Sequence, residues 1–97
     1  MSTLTKITRE KLMEMLMIVK FTKVHFDKWL AVFEVDGKIR SKFMKDDIVG
    51  KIDDHTAMVK TTIFNQEGLA SAMAIRMPEL VEQMGLTNEM FVLKPAG

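Results

Sequence analysis

The chain has 97 residues, 47% hydrophobic and 28% charged, the proportions of one globular domain and outside the disordered range. It has no cysteine, which excludes disulfides, thiolate metal sites and a thiol nucleophile; fourteen basic and thirteen acidic side chains leave a formal charge of +1, without the strong basic footprint of nucleic-acid-binding domains. No apolar run approaches the roughly 20 residues of a bilayer span, and the first ten residues lack the apolar core of a secretion signal, so a soluble domain in the cytoplasm is expected.

The expected fold is a single α+β domain over residues 1–97, in the order α-β-β-β-β-α-β. It pairs a twisted, mostly antiparallel sheet of about four to five strands with helices on one face. A short helix is predicted over about 9–16, with Thr8 as N-cap, Ile7 stapled onto Leu12, and Leu12, Met15 and Leu16 as its apolar stripe. From Met17 the pattern turns to β. Val19 and Phe21 alternate with Lys20 and Thr22, then Val24 and Phe26 continue on the opposite phase, as across a bulge at Thr22–Lys23 or a tight bend. Trp29, Ala31, Phe33 and Val35 alternate with Leu30, Val32 and Glu34 into Asp36-Gly37, a pair suited to a type I′ turn. Beyond it Ile39, Ser41 and Phe43 alternate with Arg40, Lys42 and Met44, which predicts a β-hairpin over 29–44.

Residues 46–55 admit loop, helical turn or short strand, since Ile48, Val49 and Ile52 are interrupted by Gly50 and followed by Asp53-Asp54. Residues 57–64 alternate and are rich in β-branched side chains, which predicts a strand. Asn65 suits the N-cap of a helix with Leu69, Ala72 and Met73 on one face. Pro78 either kinks that helix or opens a second one, and Leu80, Val81 and Met84 carry the stripe to Gly85, the expected left-handed C-cap. Thr87-Asn88 is expected to turn the chain into a last short strand over 90–93.

Lys38, Arg40 and Lys42, at period two on the expected third strand and extended by Lys20, form a cationic row of the kind that meets phosphates. Single-stranded nucleic-acid binders add aromatics for stacking, whereas Trp29, Phe33 and Phe43 fall on the apolar face here. A helix-turn-helix over 78–93 fails because Phe91, Val92 and Leu93 read as β and few polar side chains project toward bases. Nucleic-acid binding is therefore the alternative reading.

Catalytic chemistry finds little support. His25 and His55 are far apart in sequence, with no serine or carboxylate partner in a familiar pattern, and Asp53-Asp54-His55 lacks further metal ligands. The five glycines are scattered, so no phosphate loop exists. No catalytic residue, cofactor or metal is expected.

The ten methionines are expected mostly in the core. Around Pro78, Met73, Ile75 and Met77 make the helix apolar on more than one side, which in so small a domain points to a protein partner or a second copy meeting these residues and the neighbouring Arg76, and so to a homo-oligomer. The resulting expectation is a non-enzymatic interaction module with a regulatory, inhibitory or adaptor role. Its compact, methionine-rich, cysteine-free style resembles that of small phage-encoded accessory proteins, a likeness carried by no motif.

Overall fold

The computed structural model describes residues 12–94. Its elements are β1 (Met13–Phe21), α1 (Phe26–Val35), α2 (Gly37–Arg40), β2 (Met44–Asp53), β3 (Thr56–Ile63), α3 (Gln66–Met84) and β4 (Leu86–Val92). The four strands form one antiparallel sheet in the order β2-β3-β1-β4. Because β3 is antiparallel to both β1 and β2, those two run parallel with β3 inserted between them. Apart from the short α2, this is the split β-α-β, ferredoxin-like arrangement.

Period-two alternation sorts the sheet into two faces. Met13, Met15, Met17, Val19 and Phe21 of β1 lie beside Ile63, Thr61, Val59 and Ala57 of β3 on the helix-covered face. There Phe21 stacks on Trp29 with ring centroids 5.3 Å apart, and Trp29 on Phe33 at 5.0 Å. Phe26, Met84 and Leu86 complete the buried cluster, and Leu30, Met77 and Leu80 pack against it.

The first predicted helix does not match: residues 13–16 belong to β1, while 9–11 lie outside the described residues. Strand β1 is hydrogen-bonded on both edges, and a central strand with apolar residues of both parities reads as a continuous apolar run, compatible with helical spacing over a single turn. The predicted hairpin over 29–44 is also overturned, since its first arm is α1 and its second is α2 with a following turn. Phe26, Trp29, Leu30 and Phe33 satisfy the i, i+3, i+4, i+7 spacing, and their stacking against Phe21 is available only to a helix at this place. Val35, expected beside Trp29 on the buried side, is 78% exposed. Asp36 has φ −76° and ψ −1°, not the positive φ of a type I′ turn, and its carbonyl accepts the amides of Ile39 and Arg40. No bulge forms at Thr22–Lys23, because β1 ends at Phe21 and the chain turns there into α1.

Residues 44–53 form an edge strand, β2, with an irregularity between Lys45 and Ile48 where Asp46 takes φ +57°. Aspartate tolerates the left-handed region better than most residues. The Thr61 hydroxyl reaches the carbonyl of Lys45 at 3.1 Å and Asp47 Oδ1 at 2.6 Å, which pins the irregular segment to β3. The strand predicted over 57–64 matches β3, and α3 is capped as predicted: Asn65 Oδ1 accepts the Gly68 amide at 2.9 Å, and Gly85 takes φ +64°. Pro78 lies inside one helix of 19 residues instead of opening a second. Strand β4 begins directly at Leu86, so Thr87 and Asn88 are strand residues and not a turn. The sheet has four strands among the described residues, against the four to five expected.

Candidate functional site

Two features stand out, one on each face of the sheet. On the helix side, α3 leaves a cavity of about 690 Å³ against the sheet and α2. Alternation along β1 aims Met13, Met15 and Met17 into it, the register brings Met44 and Met90 from β2 and β4, and Met73 and Met77 enter from α3. Seven of the ten methionines therefore line one space. Ile39, Phe43, Ile63, Leu69 and Leu80 add large apolar side chains to the wall.

The charged groups at its edge are mutually paired. Arg76 Nε lies 3.1 Å from Asp36 Oδ2, and its Nη1 lies 3.6 Å from Glu79. Arg40 Nε lies 3.3 Å from Asp47 Oδ2, its guanidinium sits 3.5 Å above the Phe33 ring, and its Nη1 donates to the Phe33 carbonyl. The partner surface expected on α3 is thus divided: Met73 and Met77 line the cavity half-buried, Arg76 is held by carboxylates, and Ile75 stands 77% exposed at the rim.

The opposite face carries no helix among the described residues. Ile48, Lys60, Leu16 and Phe91 lie side by side across all four strands, with Met58, Ile18 and Glu89 in the adjacent row. Ile48 and Phe91 are 59% and 48% exposed. A Lys60–Glu14 pair at 3.3 Å lies among them.

No protein family, curated protein or solved structure matches this chain.

The histidines that sequence distance kept apart are neighbours in space, with ring centroids 4.9 Å apart. The β2–β3 turn brings Asp54 to His25, Oδ2 to Nδ1 at 2.8 Å. His55 Nδ1 lies 3.0 and 2.9 Å from the carbonyls of Phe21 and Val24, so this nitrogen carries a proton. The hydrogen bond from His25 holds the Asp54 carboxyl below its ordinary range, and the His55 amide does the same for Asp53. The pair is exposed and lies outside the cavity wall. No group of three or more metal-ligating side chains occurs among the described residues.

The cationic row does not form. Lys38 and Arg40 belong to α2, Lys42 to the turn after it, and Lys20 to β1, with Arg40 drawn inward onto Phe33. No helix of the described residues is long and apolar enough to cross a membrane. A signal for the cavity was present in the sequence: Met13, Met15 and Met17 recur at period two, a spacing that aims three flexible side chains at one face of a strand.

Proposed function

We propose that the chain is a non-enzymatic interaction module that assembles with a second copy of itself through the open face of its sheet. The carrying observation is the apolar patch of Leu16, Ile18, Ile48, Met58 and Phe91 on a face no helix covers among the described residues. An exposed apolar patch rimmed by polar groups is the usual mark of an interface.

Size supports the reading. Four strands spaced about 4.8 Å apart and about eight residues long give a face of about 500 Å² in projection. Side-chain relief brings this toward the roughly 800 Å² per partner of a standard interface. Charge supports self-pairing in particular, because a two-fold interface sets a face against its own copy. By register parity the face bears Lys20, Lys45 and Lys60 against Glu14, Asp53 and Glu89, so it is balanced and not self-repelling.

Sedimentation velocity tests the proposal. Wild-type protein is expected to sediment as a dimer at micromolar concentration, and Leu16→Glu with Phe91→Glu as a folded monomer by circular dichroism. A monomeric wild type, or a dimer that survives this double variant but dissociates with Ile75→Asp, would sink it.

A further inference from the structure

We infer that the methionine-lined cavity is a binding site for an uncharged, mostly hydrocarbon small molecule carrying one hydrogen-bonding group. The inference is independent of self-association, since the cavity lies on the other face of the sheet. Protein interiors are otherwise packed to the density of organic crystals, so a space of about 690 Å³ between a helix and a sheet is unlike a core. Its volume falls within the roughly 300–1,000 Å³ of small-molecule sites. Methionine is the side chain suited to such a wall, being unbranched, polarizable and able to repack around different shapes.

The polar groups narrow the ligand further. Arg40 and Arg76 are each already paired with carboxylates, so among the described residues the rim offers no free cation to an anionic head group. Asn88 is different. It stands on the helix-facing side of β4 opposite Val19, half-buried in the cavity wall, and no polar side-chain atom among the described residues is both buried and unpaired, so its amide stays open to a ligand. An amide both donates and accepts, which fits one hydroxyl, carbonyl or amine on an otherwise apolar molecule. Ala72, on α3, leaves the space that such a molecule fills.

The test uses N-phenyl-1-naphthylamine, a neutral aromatic amine whose fluorescence rises in apolar surroundings, with protein labelled at the methionine methyls. Saturable binding is expected, moving the methyl signals of Met15, Met73, Met77 and Met90 while that of Met58, on the open face, stays in place. Ala72→Trp, which fills the cavity, is expected to weaken binding at least roughly tenfold, and Ala74→Trp, on the exposed side of α3, to leave it unchanged. Asn88→Leu is expected to weaken it roughly threefold to tenfold, the range of one hydrogen bond. The methyl signals locate the bound probe in the wild-type protein, so misfolding of Ala72→Trp does not protect the inference. Absence of saturable binding, or a shift of Met58 in place of the cavity methionines, overturns the site. Affinity unmoved by Asn88→Leu overturns the assignment of the polar group.

Discussion

Substituting Gly68 by alanine sets two known effects against each other. In an exposed helix interior, Gly→Ala stabilises by about 1 kcal/mol, because alanine gives up less conformational freedom. Here an added Cβ would sit 2.7 Å from two ring carbons of Phe43 and 2.7 Å from Asn65 Nδ2. Relief requires the Phe43 ring to turn toward the cavity it lines and the Asn65 side chain to shift its cap. The Phe43 carbonyl accepts the amides of Phe64 and Asn65 at 2.9 and 3.2 Å, and Asn65 Oδ1 caps the helix through the Gly68 amide itself. Overpacking of this kind costs about 1–3 kcal/mol, and a displaced cap about 1 kcal/mol more. The balance is a net loss of about 1–3 kcal/mol, which for a domain of this size lowers Tm by about 4–24 °C. Thermal and urea denaturation followed by circular dichroism measure it. Adding Phe43→Leu is expected to recover part of the loss, since the ring then no longer meets the Cβ. A Gly68→Ala protein more stable than wild type would refute the steric reasoning.

Gly85→Ala is expected to be more damaging, by about 2–4 kcal/mol in the same denaturation assay. It combines a left-handed φ of +64° with a Cβ driven into the Thr22 hydroxyl and 3.3 Å from the Lys23 amide nitrogen. Trp29→Ala is expected to cost about 3–5 kcal/mol, because it removes the ring that joins Phe21 to Phe33. His25→Ala is expected to raise the Asp54 carboxyl toward its ordinary titration range, with Lys51 at 3.6 Å keeping a smaller hold on it, while leaving Asp53, held by the His55 amide, depressed. Carboxyl carbon shifts followed by NMR across pH 2–6 distinguish the two. Both contacts favour the carboxylate form, so any stability they add is present at neutral pH and lost as pH falls through the depressed range.

Two elements of the fold were legible because their signals are local. Asn65, the apolar stripe and Gly85 mark both ends of α3 through capping chemistry alone, and the β-branched run of β3 needs no partner to be recognised. Residues 26–35 carried both periods at once, and their choice of helix came from the stack of Trp29 on Phe21, a residue of another element. Strand β2 was ambiguous because an edge strand with an irregularity at Asp46 has no clean alternation. The expected second arm of the hairpin, which is α2 and the turn after it, likewise placed Lys38, Arg40 and Lys42 on a sheet face that does not exist. The cavity and the open face depend on strand order, which the methionine spacing of β1 cannot specify without knowledge of β3 and β4 as its neighbours. The proximity of His25 to Asp54 and His55 depends likewise on the β2–β3 turn reaching the start of α1.

The most direct measurement of self-assembly through the open face is an isotope-filtered NOE experiment on mixed samples, one copy carrying labelled methyls and the other unlabelled. Intermolecular contacts are expected from the methyls of Leu16, Ile18, Ile48 and Met58, the side chains that the register gathers on that face. Contacts arising instead from Ile75 and Val81 on α3, or none at concentrations where the protein sediments as a dimer, would contradict the account.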